Sequence, residues 1–464
     1  MQPGIIIAIL AILVPLWVLL RRDFVKGLAF AVFFWVSMTT LLRIQPPGSF
    51  PALTIHRLML IVVAGVWLTR NRLAEARSIP LFGCFVFWFL ANFVSLLSTQ
   101  IEFSTSLKRF LDFVLEVFVF YVVAYTSMKD KADALRLLRA AWLGLVVVAF
   151  LAVVERQTGF NPVDSFIPGY QRTDEDMRMI LSTYQHRILL GAAMAMGVPL
   201  SFAMLQAYAE QGKRLRLFWP AIALLLTASY YGFSRGPWLG LVLACVIVFL
   251  TGSKRVRKTL LVLGCVGVLA VAARPGVIDT LTHFAEDTVN PDSFKGGTAQ
   301  YRLELWRVAF YLVCRSPWTF LFGYGPGVGS EMSIDWVLSY RGKGFVIDSW
   351  DNQFAYALFQ SGFVGLASTL LLYFKGVIIL FRAWRDRWGS DRAFLACLAA
   401  TAAVLLWMMT NVLIFAKQID YLFWTVIAAG VWVALHARST EAAAESRAAA
   451  DAALGTEAIQ GYSV

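Results

Sequence analysis

The chain has 464 residues, of which 59% are hydrophobic and 15% are charged, with a formal net charge of +12. A soluble domain typically has about 45–50% apolar and about 25% charged residues, so this composition excludes an ordinary soluble protein. The excess positive charge lies mostly in short loops between apolar runs, as in a membrane protein, and no basic patch interleaved with aromatic residues indicates nucleic-acid binding.

Apolar runs follow one another along almost the whole chain. A helix needs about 20 mostly apolar residues to cross a bilayer, so these runs predict an all-α, polytopic membrane bundle of about 12–13 transmembrane helices over residues 1–437. The predicted spans are 4–20, 27–42, 56–69, 79–98, 108–127, 136–155, 187–208, 217–233, 236–251, 259–273, 352–381, 393–415 and 419–437. The remaining residues, 438–464, are rich in Ala, Glu and Ser and predict a disordered cytoplasmic tail.

The loops alternate in charge, and this alternation predicts their orientation. Loops rich in Lys and Arg face the cytoplasm. They occupy residues 21–26, 70–77, 129–139, 213–216, 254–258 and 382–392. The intervening loops are therefore predicted to face the periplasm, and the longest of them is 274–351. Within it, 299–315 predicts a helix on the membrane surface, because Arg302 and Trp306 share one helical face.

Arginines occur in the loops predicted to face outward, where basic residues are ordinarily sparse. They include Arg172, Arg178, Arg187, Arg235, Arg302 and Arg307. An arginine at membrane level is costly and indicates a functional site, and the guanidinium fork matches phosphate oxygens. The set favours a site for a lipid-linked phosphate or pyrophosphate at the outer interface. For Arg235 the alternative is that its side chain extends to the lipid headgroups.

Acidic residues and one histidine supply candidates for acid–base chemistry. Asp348 and Asp351 lie where the large loop returns to the membrane. A carboxylate there is either a helix cap or a general base that takes a proton from a hydroxyl. His186, at the outer end of span 187–208, is either structural or an acid–base group beside a phosphate. No metal or other cofactor is predicted, because no group of residues has the ligand spacing of a metal site.

Three segments together resemble the bacterial O-antigen ligase and Wzy-type polysaccharide polymerase superfamily. The resemblance covers roughly residues 180–370. The segments are Ser234-Arg235-Gly236; Arg302 to Trp306 with the later glycines Gly323, Gly325 and Gly327; and Asp351-Asn352 with Gly362 and Gly365. The third segment matches the ligase pattern except at its first position, where the family has histidine and this chain has Asp351.

The resemblance implies a membrane glycosyltransferase that uses an undecaprenyl-pyrophosphate-linked oligosaccharide as donor and no nucleotide sugar, metal or cofactor. It implies that Arg235 and Arg302 bind the pyrophosphate, and we expect Arg187 and Arg307 to assist. A hydroxyl of a glycan or lipid acceptor would then attack the anomeric carbon. Asp351 stands at the position of the assisting histidine, and Asp348 and His186 are the other candidates.

We therefore expect an exopolysaccharide or O-antigen-type polymerase in the bacterial inner membrane, with its active site facing the periplasm. Asp351 in place of histidine favours a polymerase, since only the acceptor side of the site need differ. The alternative is a ligase that transfers the glycan to lipid A-core or another acceptor. The alternative of another class is a flippase or exporter of lipid-linked glycans, but the chain lacks the internal repeat that such a transporter would show. Other polysaccharide assembly proteins are candidate partners.

Overall fold

A computed structural model gives the fold of most of the chain. It describes residues 3–44, 53–70, 79–161, 163–164, 180–212, 216–232, 234–272, 282, 294–337, 344–347, 350–386, 390–410 and 417–436. Asp348, Arg172, Arg178 and the predicted cytoplasmic tail lie outside the described residues.

The architecture is all-α, as predicted, and every predicted span overlaps a helix. The helices are α1 (Pro3–Arg22), α2 (Phe24–Ser37), α3 (Ile55–Leu68), α4 (Phe82–Leu96), α5 (Phe103–Phe113), α6 (Phe120–Ser127), α7 (Lys131–Thr158), α8 (Arg187–Glu210), α9 (Phe218–Tyr231), α10 (Arg235–Thr251), α11 (Lys254–Ala272), α12 (Phe294–Val313), α13 (Pro317–Phe322), α14 (Val328–Glu331), α15 (Gln353–Asp386), α16 (Ser390–Met408) and α17 (Lys417–His436). A π-helical turn, Val114–Val119, joins α5 to α6.

Two short hairpins accompany the helices. Strands β1 (Arg43–Ile44) and β2 (Leu53–Thr54) pair antiparallel, with Arg43 opposite Thr54. Strands β3 (Ile334–Val337) and β4 (Gly344–Ile347) also pair antiparallel, with Ile334 opposite Ile347. The second hairpin belongs to the large loop and leads the chain toward the start of α15.

Within the described ranges, six helical stretches are long and apolar enough to cross a membrane. They are Phe103–Ser127, Lys131–Thr158, Arg187–Glu210, Gln353–Asp386, Asp391–Met408 and Lys417–His436. Shorter apolar helices accompany them, namely α2, α3, α4, α9 and α10. This confirms the predicted class, a polytopic helical membrane protein, while the orientation of the bundle stays a prediction.

Helix α8 lies near the centre of the bundle, and its small residues explain why. It packs against α7, α9, α10 and α16. A Cβ added at Gly191 would lie 2.8 Å from Pro237 of α10, and one at Gly197 would lie 2.9 Å from Leu225 of α9. Glycine and alanine let helices approach closely, which is a main source of association between helices in lipid. Because Gly191 has no side chain, the first turn of α10, which carries Arg235, packs closely against the beginning of α8.

The helix predicted over 299–315 is observed as α12, which begins earlier and ends at Val313. It is docked onto the bundle: Leu305 and Val308 are buried in one cluster with Trp350 and Phe359 of the α15 region. Its other side exposes large apolar side chains, including Phe310 at 54%. This docking carries Arg302 to the beginning of α15.

Candidate functional site

Two of the predicted site segments are held by neighbouring residues at the end of α16. The indole Nε1 of Trp407 donates a hydrogen bond to the carbonyl oxygen of Gly236 at 2.8 Å. Two residues later, the carbonyl oxygen of Met409 accepts from the backbone N–H of Gln353 at 2.8 Å. The turn that carries Arg235 and the segment that carries Asp351 are therefore brought to one end of the bundle from more than 100 positions apart in the chain.

His186 and Arg187 stand beside the turn of Arg235. A Cβ added at Gly232 would lie 3.8 Å from the carbonyl oxygen of Arg187, so the start of α8 touches the end of α9. His186 is the N-cap of α8, and its Nδ1 accepts from the N–H of Ile188 at 3.2 Å. The structure thus gives His186 the structural role that was one of its two predicted readings, at an exposed position.

Arg302 lies half-buried beside Asp351. Its guanidinium Nε is buried and has no hydrogen-bond partner among the described residues. Burial lowers the pKa of Arg302 from its ordinary value, and the negative charge of Asp351 opposes that shift. A buried guanidinium with an unused N–H group favours an anionic ligand, because charge-assisted hydrogen bonds are the strong ones.

Asn352, not Asp351, caps α15. The Asn352 Oδ1 accepts from the backbone N–H groups of Phe354 and Ala355, both at 3.0 Å. Its Nδ2 donates to the carbonyl oxygen of Thr410 at 3.3 Å. The predicted alternative role of Asp351 as a helix cap is therefore filled by its neighbour Asn352.

Arg307 is placed differently from Arg302. It is exposed, and its Nη1 forms an ion pair with Oε1 of Glu304 at 2.6 Å. The other oxygen of Glu304 accepts from Nε1 of Trp336 at 3.3 Å. The positive charge of Arg307 is thus already matched on the outer surface of α12, so we expect it to contribute less to an anion site than Arg302.

The glycines of the motif permit close backbone contact between the large loop and a break in α15. The break falls at Ser361 and Gly362, where Gly362 has φ of +63°. A Cβ added at Gly362 would lie 2.4 Å from the carbonyl carbon of Leu321. Conversely, one at Gly323 would lie 2.5 Å from the carbonyl carbon of Gln360. No side chain fits between the large loop and the break in α15, so both positions require glycine for the two backbones to touch.

Hydrogen bonds tie the same loop to the break. The N–H of Gly325 donates to the carbonyl oxygen of Gln360 at 2.9 Å, and the N–H of Gly327 donates to the Gln360 side chain at 3.1 Å. A Cβ added at Gly365 would lie 2.0 Å from Cβ of Ser361. The motif glycines are therefore positioning residues: they fix the outer loop, and with it α12 and Arg302, against α15.

Sequence reasoning missed a group of charged residues beneath this loop. They surround a cavity of about 180 Å³. Its polar and charged lining consists of Asn92, Arg109, Asp112, Glu116, Gln353, Gln360, Ser361, Thr369, Lys417 and Asp420. The available signal was the presence of ionisable residues within apolar helices, which indicates function by default. Among the described residues, no group of three or more His, Cys, Asp or Glu side chains is placed to hold a metal ion.

Comparison with known proteins finds a family match over the region that contains most of these residues. Residues 220–370 match the family model described as O-antigen ligase (Wzy_C). No curated protein matches the chain. The matched region contains Arg235, Arg302, Asp351 and the motif glycines, whereas His186 and Arg187 precede it. The match indicates a membrane enzyme of the glycosyltransferase type, and it confirms, over residues 220–370, that the chain is related to the O-antigen ligase and Wzy-type polymerase superfamily.

Proposed function

We propose that the chain is a membrane glycosyltransferase that joins lipid-linked oligosaccharide repeat units into a polysaccharide. The donor is an undecaprenyl-pyrophosphate-linked glycan, and the acceptor is a hydroxyl of a second such unit. The observation that carries the proposal is Arg302, whose buried Nε has no partner among the described residues, beside the half-buried carboxylate of Asp351. A cation with unused donors and an adjacent proton acceptor are the two groups that this transfer needs.

Each residue then has a defined part in the reaction. Arg302 and Arg235 bind the pyrophosphate through charge-assisted hydrogen bonds, and Arg187 and Arg307 add positive charge around it. The acceptor oxygen bonds to the anomeric carbon while the bond from that carbon to the pyrophosphate oxygen breaks. Asp351 takes the hydroxyl proton, and the arginines stabilise the charge that develops on the leaving pyrophosphate. Asp348 and His186 remain the other candidates for the proton acceptor.

The second candidate function is a ligase, and the acceptor distinguishes the two. A ligase takes a finished glycan from one lipid and gives it to another acceptor, such as lipid A-core, while a polymerase uses one species as donor and acceptor. The pyrophosphate arginines serve both reactions, so the two enzymes need differ only on the acceptor side of the site. Asp351 stands where the family pattern has histidine, and we take this difference to favour the polymerase.

The test is a reconstitution with purified protein and a single lipid-linked repeat unit, without a second acceptor. A polymerase yields a ladder of longer lipid-linked products. If product forms only after lipid A-core or another acceptor is added, the ligase reading replaces ours. The same experiment in detergent excludes the flippase alternative, because transport has no meaning without a membrane and turnover there is chemistry.

A further inference from the structure

A cluster of half-buried charged residues, drawn from four separate helical segments, lies at the cavity beneath the outer loop. Arg57 of α3 contacts Oδ2 of Asp112 and Oε1 of Glu116, each at 2.7 Å. Lys417 at the start of α17 pairs with the same Glu116 oxygen. Glu116 lies in the π-helical turn between α5 and α6. Such turns within helices frequently mark functional sites.

One carboxylate of the cluster forms no ion pair with Arg57 or Lys417 among the described residues. Arg57 and Lys417 engage Asp112 and Glu116, which leaves the fifth member, Asp420, the fourth residue of α17. Oδ1 of Asp420 is buried and has no hydrogen-bond partner among the described residues. A buried acceptor without a donor is costly, and native structures ordinarily satisfy it with a protein group, a water or a ligand.

The walls of the cavity are aromatic. Trp88, Phe110, Phe113, Tyr356 and Tyr373 line it, and the rings of Trp88 and Phe113 stack with centroids 3.8 Å apart. A sugar ring presents hydroxyl donors at its edge and apolar C–H faces. Carboxylate and amide oxygens match the former, and aromatic rings match the latter. A volume of about 180 Å³, the space of roughly six waters, suits one such ring.

The cavity adjoins the predicted site. Gln353 and Tyr356, in the first turn of α15, line it, and Asp351 immediately precedes that turn. Pro326 of the glycine segment also lines it, and its carbonyl oxygen accepts from Ser106 at 2.7 Å. A molecule in the cavity therefore lies next to the residues that the transfer would use.

We propose that this cavity is the acceptor subsite, in which Asp420 and the aromatic walls bind a terminal sugar ring of the acceptor glycan. The inference rests on the proposed function and assigns the donor and the acceptor to different parts of the site. Arginines near Asp351 bind the anionic donor, and the aromatic cavity with the buried Asp420 oxygen binds the hydroxyl-rich acceptor.

The test measures donor and acceptor separately with the full-length protein in detergent. The donor is the undecaprenyl-pyrophosphate-linked repeat unit isolated from the producing bacterium, and the acceptor is the same glycan on a short water-soluble aglycone. We expect Asp420→Asn to raise the KM for the acceptor about tenfold or more, and to leave the KM for the donor within about twofold. Asp386→Asn, an exposed carboxylate at the far end of α15, is the matched control.

A second variant guards against a protein that fails to fold. Phe113→Leu keeps the apolar volume but removes an aromatic wall, and it should raise the acceptor KM about threefold to tenfold. An unchanged acceptor KM in both variants, or equal changes in both KM values, overturns the subsite. If the wild-type protein consumes no donor at all, the proposed function itself fails and the subsite fails with it.

Discussion

The two ends of the helix bundle differ in how completely their charged side chains are paired. At the end predicted to face the cytoplasm, charged side chains pair with each other near the surface: Arg136 contacts Asp133 at 2.8 Å, and the exposed Arg385 contacts Asp386 at 3.2 Å. At the outer end, Arg302 and Asp420 each bury a polar atom that has no partner among the described residues. Paired charges suit the orientation of a membrane protein, whereas buried polar atoms without a partner suit the binding of ligands.

The comparison depends on which end faces the periplasm, and cysteine labelling decides this in an all-or-none way. The native Cys314 is exposed just beyond α12. In a variant that retains only this cysteine, a membrane-impermeant maleimide should label it in intact cells. In an otherwise cysteine-free chain with Lys254→Cys, labelling should require permeabilisation. The reverse pattern would turn the arginine site toward the cytoplasm and rule out a periplasmic transferase.

Asp351→Asn should give the largest effect on catalysis, because it removes the proton acceptor. We expect turnover to fall by about 10²–10⁴-fold. The thermal stability should not change, since Asn352 caps α15. Asn352→Ala is the matched control, and it should lower the stability by about 1 kcal/mol. Normal turnover in Asp351→Asn would move the base elsewhere, and Asp348→Asn and His186→Ala would then be compared.

Arg302→Ala should lower product formation by about 10²–10³-fold, the effect of losing one preorganised donor to a developing charge. Lysine should restore little, because it lacks the planar fork. Arg307→Ala should have a smaller effect, since Glu304 already pairs with that exposed side chain. Arg385→Ala, at the end predicted to face the cytoplasm, should leave activity unchanged. If Arg302→Ala and Arg235→Ala both keep normal turnover of a lipid-linked donor, the pyrophosphate site lies elsewhere.

A pair of glycine substitutions compares the two ends of the bundle by their effect on the free energy of unfolding. Gly212 follows the last residues of α8 and has φ of +65°, but no atom lies within 4 Å of a Cβ added there. Gly212→Ala therefore adds only backbone strain, of about 1–2 kcal/mol. Gly362→Ala adds a clash with the backbone of Leu321, for a total of about 2–5 kcal/mol. Thermal unfolding in detergent measures both. Equal losses would mean that the large loop does not pack tightly against the break in α15.

Local patterns were enough to predict the helices and the family. The length of an apolar run decides whether it forms a spanning helix, because the bilayer core imposes that length, and every predicted span overlaps an observed helix. The segments around Arg235, Arg302 and Gly362 were also recognisable, since their residue types and spacing are local features. For the same reason, the sequence indicated an anion site but left the role of Asp351 open between cap and base.

Packing decided what those local patterns left open. The cap of α15 belongs to Asn352, because the end of α16 offers Thr410 as its second partner. The charge cluster joins Arg57, Glu116 and Asp420, which are far apart in the chain and meet only when α3, the π-helical turn and α17 pack together. Which face of an apolar helix turns inward depends on small residues and close contacts between helices, and hydropathy does not encode it. The sequence therefore determined the membrane class and indicated the arginines of the proposed site, and only the tertiary structure placed a charged, aromatic cavity beside them.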